Sequence, residues 1–320
     1  MSRLEDAGMP AAPPQGATTT ALLIATDGSH RSDGAVRVGL ALAARDNVIP
    51  DVVSVVEPPM LADPDGVPPP EAGHLLELAC DARAVRLLVQ RDRTHPGTRS
   101  WPFSVEVGPR VDTIVAHAAR TNASLILLGL GTHGVSARLR QRETALRVIR
   151  AADRPVLGLP SYASGVPHSA VVAADFSASS ERAAQAALSL LGVEGTLYLA
   201  HVTPRIPIPQ GDSRTWDDPL TNPVLPKLAA LLQRLDPSPG IRIEYVHLHG
   251  DPARELLAFA KEYSVDVIAS GTHGRSAVGR LVMGSVATTL IRHAQSWVLV
   301  APPQPDANPV GDAAEPNDWV

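Results

Sequence analysis

The chain has 320 residues and a hydrophobic content of 44%, which is typical of a globular protein with two domains of ordinary size. Its net charge of −5 argues against partners that attract basic proteins, such as nucleic acids and anionic membrane surfaces. The single cysteine, Cys80, excludes an internal disulfide and a metal cage built from cysteines.

The first predicted segment, residues 1–19, is a polar tail that contains prolines. Glu5 and Asp6 stand where a secretory signal peptide is basic, and no apolar run along the chain reaches the length of a membrane span. We therefore expect a disordered tail and a cytoplasmic protein without membrane or nucleic-acid partners.

From residue 20 onwards, the same order of predicted elements occurs twice. Each copy begins with an apolar strand that ends in aspartate and serine, at Asp27-Gly28-Ser29 and at Asp175-Phe176-Ser177. Three helices alternate with three further strands, and the fourth strand leads to the tetrapeptide Gly-Thr-His-Gly before a last helix and a fifth strand. The first three helices are predicted at 35–44, 71–92 and 111–121 in one copy and at 178–191, 222–235 and 252–263 in the other.

Strands that are continuous apolar runs and alternate with helices are typical of a parallel sheet covered on both faces. The sequence predicts an α/β protein with two tandem doubly wound five-stranded parallel-sheet domains, residues 20–160 and 168–302, followed by an acidic disordered tail at 303–320. Such sheets bind ligands beyond the carboxyl ends of their strands, where the strand order reverses. Asp175 and the second Gly-Thr-His-Gly both follow strand ends, so we expect them to meet.

The second copy contains Gly271-Thr272-His273-Gly274, then nine residues, then Gly284-Ser285. Glycines let backbone N–H groups approach a ligand closely, and the start of a helix adds unpaired N–H donors with a partial positive charge. The pattern therefore predicts a site for nucleotide phosphates. A P-loop is excluded, because neither Lys227 nor Lys261 stands between a glycine and a serine or threonine.

On these motifs the chain resembles the universal stress protein family, as a tandem pair of its domains that covers nearly the whole sequence outside the tails. The second copy matches the family's ATP-binding pattern Gly-x2-Gly-x9-Gly-Ser. The resemblance implies ATP, with a divalent cation such as magnesium, and a role in stress adaptation. It also implies a homo-oligomer in which the two halves of each chain pair through their last strands as a pseudo-dimer.

The resemblance implies a role for each residue of the nucleotide site. Asp175 is expected to contact the adenine or ribose, and Val202 to line the adenine pocket. The remaining residues are expected at the ribose and phosphates: Gly271 and Gly274 around both, Gly284, Ser285 and the Val286 backbone at the triphosphate, and His273 and Arg275 as outer contacts.

The first copy departs from this pattern after Gly131-Thr132-His133-Gly134. If the tetrapeptides are aligned, Gly129 corresponds to Ala269, and an ungapped count places Thr144-Ala145 opposite Gly284-Ser285. If the shared Ile-Arg pairs at 149–150 and 291–292 are aligned, the loop is two residues shorter and Arg142-Glu143 stands there. The Glu143 carboxylate would then face the phosphates, and like charges about 4 Å apart repel by about 4 kcal/mol at a dielectric near 20. Both alignments lack the glycine, so we expect ATP in the second domain only.

Several residues also allow simpler interpretations. The segment 129–134 matches the dinucleotide fingerprint Gly-x-Gly-x-x-Gly, but it follows a fourth strand, whereas the fingerprint follows a first strand. His201, His247 and His249, together with Asp251, either form a metal or phosphate-sensing cluster or are solvated at strand ends, and we expect no metal. Asp175 either contacts the nucleotide or begins the next helix, with Ser177 as its N-cap. The glycines either bind phosphates or allow a turn and close helix packing.

The sequence thus predicts a nucleotide-binding regulator without catalytic residues, in which ATP biases how the protein pairs with itself or with partners. Two alternatives stay open. One is slow ATP hydrolysis or nucleotidyl transfer by the same fold, with His273 and Arg275 taking part. The other is an interaction protein whose sites are vestigial and which gains no thermal stability from ATP.

Overall fold

The computed structural model of the chain describes residues 21–58, 72–96, 102–131, 135–204, 224–272 and 283–303, and for residues 135–141 it describes the backbone only. The predicted tail 1–19, all but the first residue of the predicted tail 303–320, and the predicted site residues His273, Gly274 and Arg275 lie outside the described residues. Within the described ranges, no helix combines the length and the apolar character that crossing a bilayer requires.

The first half alternates strands and helices in the predicted order. Its strands are β1 (Leu22–Ala25), β2 (Asp51–Val56), β3 (Ser104–Val107), β4 (Leu125–Gly129) and β5 (Val156–Leu159). Its helices are α1 (Asp33–Asp46), α2 (Ala72–Thr94), α3 (Arg110–Arg120) and α4 (Val135–Ala151).

The second half repeats this order. Its strands are β6 (Ser169–Ala173), β7 (Thr196–Thr203), β8 (Arg242–His249), β9 (Val267–Gly271) and β10 (Trp297–Ala301). Its helices are α5 (Ala178–Leu190), α6 (Val224–Arg234), α7 (Pro252–Glu262) and α8 (Ser285–His293). The six helices for which the sequence predicted bounds agree with these within two residues.

Local capping explains where two of the helices begin. The hydroxyl of Ser177 accepts the N–H of Ser180 at 3.2 Å at the start of α5. The carboxylate of Asp251 accepts the N–H of Arg254 at 2.9 Å at the start of α7, whose first residue, Pro252, has no N–H to leave unpaired. Each cap directly follows a strand or its turn, so it sets the point at which the chain leaves the sheet.

The strands form one continuous sheet in the order β3-β2-β1-β4-β5-β10-β9-β6-β7-β8. Within each half the strands are parallel, and the strand order reverses between β1 and β4 and between β6 and β9, as in a doubly wound fold. The halves join where β5 and β10 run antiparallel. The predicted pairing through the last strands is therefore confirmed, and the two five-stranded units share a ten-stranded sheet.

A local two-fold axis passes between the halves at this junction. Leu157 of β5 lies opposite Leu299 of β10, and both are fully buried. Val156 faces Val300 and Gly158 faces Val298 on either side. The two halves therefore contact each other through equivalent residues, as two subunits of a symmetric dimer do.

The strand registers also align the two halves residue by residue. Ile24 pairs with Leu127 across β1 and β4, and Val172 pairs with Ala269 across β6 and β9. Ile24 and Val172 each stand three residues before their strand-end aspartate. Leu127 therefore corresponds to Ala269, and Gly129, two residues later, corresponds to Gly271.

Helices cover both faces of the sheet, and each layer spans both halves. Buried leucines and alanines such as Leu42, Ala187 and Leu231 attach α1, α5 and α6 to one face. Ile114, Leu146, Leu256 and Leu290 attach α3, α4, α7 and α8 to the other. Burial on both faces explains why the strand sequences are almost continuously apolar.

Candidate functional site

A cavity of about 340 Å³ opens at the carboxyl ends of β6, β7 and β9, at the point where the strand order reverses in the second half. Six of the nine predicted site residues line it: Asp175, Val202, Gly271, Gly284, Ser285 and Val286. Residues from five elements and their adjoining loops thus meet in one place. The other three predicted residues, at positions 273–275, lie outside the described part of the chain.

Asp175 is held in a tight turn directly after β6. Its Oδ1 accepts the backbone N–H of Ser177 at 3.0 Å and the Ser177 hydroxyl at 2.6 Å. Ser177 is in turn the N-cap of α5. The simpler interpretation of Asp175 as a turn residue therefore describes a real interaction. Among the described residues these bonds use only Oδ1, so the turn leaves Oδ2 open to a ligand in the cavity and both roles are compatible.

His201 forms the adjacent wall of the cavity. Its Nδ1 lies 2.7 Å from the Ala174 carbonyl oxygen, so Nδ1 donates a hydrogen bond to that oxygen. Its ring lies 5.1 Å from the ring of Phe176 and 6.2 Å from that of His247, which is followed by His249 at 4.3 Å. The imidazoles form a row, but no group of three or more His, Cys, Asp or Glu among the described residues is arranged to hold a metal ion.

Gly271 is required by packing. A Cβ added to it would lie 2.4 Å from the Oγ of Ser179 and 2.8 Å from its carbonyl carbon, at the start of α5. Gly129 of the first half is in the same situation, with the Cα of Ser32 at 2.7 Å. Close helix packing, the simpler interpretation of the sequence, thus explains this glycine in both halves. Gly271 alone does not distinguish a nucleotide site.

The start of α8 distinguishes the second half. Gly284 is the N-cap residue of α8, and its own N–H donates to the Thr272 carbonyl at 2.7 Å. Among the described residues, no acceptor is bonded to the N–H groups of Ser285, Val286 or Ala287, and no side chain caps the helix. These donors line the cavity, so the helix presents its positive end to whatever occupies it.

The first half has a cavity at the equivalent place, of about 150 Å³. Asp27, Val55 and Gly129 line it in the positions that Asp175, Val202 and Gly271 hold in the second half. Thr144 and Ala145 correspond to Val286 and Ala287, which are also 142 residues further along the chain. The spacing from the strand glycine to these helix residues is therefore identical in the two halves.

This spacing corrects the alignment inferred from the sequence. Gly129, not Gly131, corresponds to Gly271, and the two Gly-Thr-His-Gly segments are offset by two residues although their sequences are the same. The equivalence of Gly129 with Ala269 was wrong, and so was the placement of Thr144-Ala145 opposite Gly284-Ser285. Arg142-Glu143 stands there instead, with no residue deleted.

The helix of the first half runs past this position. α4 begins at Val135, eight residues before the counterpart of the first residue of α8. The backbone N–H groups of residues 142–145 therefore lie inside the helix, where each donates to the carbonyl four residues earlier. The donors that line the second cavity are already used in the first.

Arg142 and Glu143 face the other half of the molecule, which corrects a second expectation. Glu143 forms an ion pair with Arg292 of α8 at 3.0 Å, and an Arg142 nitrogen donates to the Ala294 carbonyl at 3.4 Å. The Glu143 carboxylate thus belongs to the junction between the halves. The expectation that this carboxylate faces phosphates in the first half was therefore wrong.

Asp27 is more strongly held than Asp175. Its Oδ1 accepts the Ser29 N–H at 3.0 Å, the Ser29 hydroxyl at 2.7 Å and the Ser32 hydroxyl at 2.9 Å. Burial by itself would raise the pKa of Asp27, but these hydrogen bonds and the positive charge of Arg83 together lower it. The first cavity therefore keeps an ionised carboxylate at physiological pH.

Sequence reasoning did not place His201, Pro252, Ser270 and Thr272 in the predicted site, although they line this cavity. His201 was noticed at a strand end, but it was considered as part of a metal or phosphate-sensing cluster and not as a residue of the nucleotide site. Pro252 and Thr272 stand next to predicted strand or helix ends, and strand-end position is the signal that would have found them.

Comparison with known proteins finds a matching protein family and a similar sequence. The model of the universal stress protein family matches residues 19–160 and, a second time, residues 168–302. A universal stress protein of Methanocaldococcus jannaschii is 29% identical over 104 residues, which are 32% of this chain and 61% of that protein. The chain thus matches less than two thirds of that relative's length.

One solved structure shows the same fold over most of the chain. A universal stress protein from Archaeoglobus fulgidus matches with a TM-score of 0.58 and 21% identity, over 90% of this chain and 98% of that one. A universal stress protein solved in complex with cAMP matches with a TM-score of 0.34 and 23% identity, over 44% of this chain and 100% of that one. The first of these supports the two-domain architecture.

Proposed function

The chain belongs to the universal stress protein family, and from this premise we propose that its second domain binds ATP together with a divalent cation such as magnesium. The first domain, in this proposal, does not bind ATP. The protein acts as a regulator in stress adaptation, and the nucleotide controls how it pairs with itself or with partners. We expect no enzymatic role beyond slow hydrolysis.

The single observation that carries this proposal is the start of α8. Ser285, Val286 and Ala287, whose backbone N–H groups have no acceptor among the described residues, line a cavity that Asp175 also lines. Phosphates favour such a helix start, because N–H donors and the helix dipole stabilise negative charge there. Asp175 lies at the carboxyl end of β6, where its Oδ2 can accept a hydrogen bond from a ribose hydroxyl or the adenine amino group.

The position of α8 supports a regulatory role. Its first residues line the nucleotide cavity, and Arg292 near its last turn forms the ion pair with Glu143 of the first half. A ligand that holds the start of α8 acts on a helix that contacts the neighbouring domain. Since β5 and β10 already pair with each other, the homo-oligomer implied by the family has to use other surfaces, and both it and a cytoplasmic location stay predictions.

Calorimetric titration of the full-length chain with ATP and magnesium tests the proposal. We expect one ATP per chain. Asp175→Asn should weaken binding about tenfold or more, the loss expected for one hydrogen bond to a charged group. Asp27→Asn, the matched change in the first half, should leave the affinity unchanged.

Two equivalent sites, or a loss of ATP affinity in the Asp27 variant, would contradict the assignment to the second domain. Absence of ATP binding in the unmodified chain would favour a nucleotide-independent interaction protein. Phosphate release in the same samples distinguishes binding from turnover, because a regulator of this kind releases phosphate only slowly.

A further inference from the structure

The first-half cavity differs from the second in its charged groups. Asp27 at the end of β1, Arg83 from the middle of α2 and Arg110 at the start of α3 line it. Pro252 holds the position of Arg110 in the second half, where no described lining residue is an arginine or a lysine. A cavity of about 150 Å³ holds a molecule of about six non-hydrogen atoms, the size of benzene.

Close packing of α2 brings Arg83 to this place. Gly28 has a φ of +75°, and a Cβ added to it would lie 2.8 Å from the Cβ of Arg86. The absence of a side chain at Gly28 therefore lets α2 lie against the turn that holds Asp27. The second half has Phe176 at the matching position, where its ring packs against His201 instead.

Asp27 and Arg83 each use only part of their hydrogen-bonding capacity. The bonds to Asp27 all end on Oδ1, and Arg83 donates only from Nη1, to the Ser54 hydroxyl at 2.9 Å and the Val55 carbonyl at 3.1 Å. Among the described residues, neither Asp27 Oδ2 nor the Nε and Nη2 of Arg83 has a partner, and no ion pair joins the two side chains. Opposite charges thus stand on two walls of one cavity without contacting each other.

We propose that the first domain binds a small amino acid or hydroxy acid between these two groups. The carboxylate of the ligand accepts from the Nε and Nη2 of Arg83, an edge of the guanidinium that matches a carboxylate with two parallel hydrogen bonds. The ammonium or hydroxyl group of the ligand donates to Oδ2 of Asp27. Arg110 adds positive charge at the mouth, although Glu57 partly neutralises it through an ion pair at 2.5 Å.

This site is independent of the nucleotide site. The first cavity has less than half the volume of the second, and α4 removes the N–H donors that a triphosphate needs. The two sites lie in different halves of the sheet, on either side of the β5–β10 junction.

Ligand-observed NMR with the full-length chain tests the proposal, with L-alanine and L-lactate as probes at millimolar concentration. Each has six non-hydrogen atoms, and they differ in the donor that meets Asp27. We expect saturation transfer to at least one of them. Propionate, which lacks the donor, and L-alaninamide, which lacks the carboxylate, should give none.

Variants assign the signal to this cavity. Arg83→Gln and Asp27→Asn should each lower the affinity for the probe about tenfold or more, which is the effect of losing one charge-assisted hydrogen bond. Arg86→Gln is the matched control, since Arg86 is an exposed neighbour on α2 that does not line the cavity. It should leave the affinity unchanged.

The proposal is overturned if neither acid binds, or if propionate and L-alaninamide bind as well as the acids do. These comparisons use the unmodified chain, so they hold even where a variant fails to fold. Asp175→Asn separates the two proposals, because it should weaken the binding of ATP and leave the binding of the acid unchanged. Displacement of the acid by ATP would show that the first cavity is a nucleotide site and would also overturn the proposal.

Discussion

The helices α4 and α8 hold equivalent places in the two halves, yet they begin at different points. α8 begins at the edge of its cavity, where its first N–H groups have no acceptor within the described part of the chain, whereas α4 begins eight residues earlier and runs past the edge. The strands beneath them have matching registers, and the strand glycine is present in both. A common sheet thus supports two different pockets, and the proposed preference of phosphates for the second pocket depends on the starting residue of one helix.

A charge placed at the start of α8 tests this comparison with the largest expected effect. Gly284 has φ −58° and ψ 153°, a conformation open to any residue. In Gly284→Glu the new carboxylate should repel the phosphates by about 4 kcal/mol at about 4 Å and a dielectric near 20, which is about a thousandfold in affinity for ATP. Titration calorimetry measures the loss.

Gly284→Gln is the matched control, because it adds the same bulk without the charge. We expect it to weaken the binding of ATP by less than about tenfold. Equal affinities of the Glu and Gln variants would show that phosphates do not lie at this helix start. Without ligand, the Glu and Gln variants should have the same melting temperature, since a carboxylate at a helix N-terminus does not destabilise the helix.

Truncation of the two leucine side chains at the two-fold axis tests whether the two halves are equivalent at their junction. Leu157→Ala and Leu299→Ala should each lower the free energy of unfolding by about 3 kcal/mol, the usual cost of deleting a fully buried leucine side chain. Because the two residues lie opposite each other across the β5–β10 junction, the two losses should be nearly equal. Urea denaturation of the full-length chain measures both.

Leu75→Ala is the control for this pair, since Leu75 on α2 is 42% exposed. Its effect should stay below about 0.5 kcal/mol, as for most surface positions. Clearly unequal losses at Leu157 and Leu299 would mean that the two halves do not share the junction as equivalent partners.

The smallest expected effect on stability comes from two ion pairs, one in each half. Asp33 of α1 accepts two hydrogen bonds from Arg93 of α2, at 2.6 and 2.8 Å, and Glu181 of α5 accepts from Arg234 of α6 at 2.8 Å at the equivalent place. The carboxylates are 6% and 22% exposed. Asp33→Asn should cost about 2 kcal/mol of stability, whereas Glu181→Gln should cost less than about 1 kcal/mol.

The pH dependence of this difference provides its own check. Burial alone would raise the pKa of Asp33, but the hydrogen bonds from Arg93 and Gln90 and the charge of Arg93 lower it below its ordinary value of 3.8. A lowered pKa means that the ion pair stabilises the fold at neutral pH and that this stability is lost as the pH falls through the folded-state pKa. The Asp33→Asn and unmodified proteins should therefore converge in stability below about pH 4. A constant difference down to pH 2.5 or so would contradict this.

The secondary structure followed from local patterns. Apolar runs ending in Asp-x-Ser predicted β1 and β6, and the helix bounds deviate by no more than two residues because caps such as Ser177 and Asp251 are local signals. The second cavity was predictable for a related reason. Asp175, Gly271 and Gly284 all stand at element ends, and parallel strands bring their carboxyl ends to one edge of the sheet.

The alignment of the two halves was not predictable in the same way. Two identical tetrapeptides suggested that Gly131 matched Gly271, but the register of a parallel sheet depends on contacts between residues distant in sequence. Gly129 and Gly271 match because each lies where the start of a helix, at Ser32 or Ser179, leaves no space for a Cβ. Such a contact cannot be read from a four-residue identity.

The sequence by itself determined that the protein has two α/β halves, in which order their elements follow, and that Asp175, Gly271 and Gly284 lie together at one cavity of the second half, since periodicity, caps and strand ends are local properties. The tertiary structure decided where α4 begins relative to its cavity, that Glu143 faces Arg292 and not a phosphate, and that Arg83 comes to lie opposite Asp27. Each of these depends on packing between elements far apart in the chain, and the energy of such packing is shared among residues that no single segment contains.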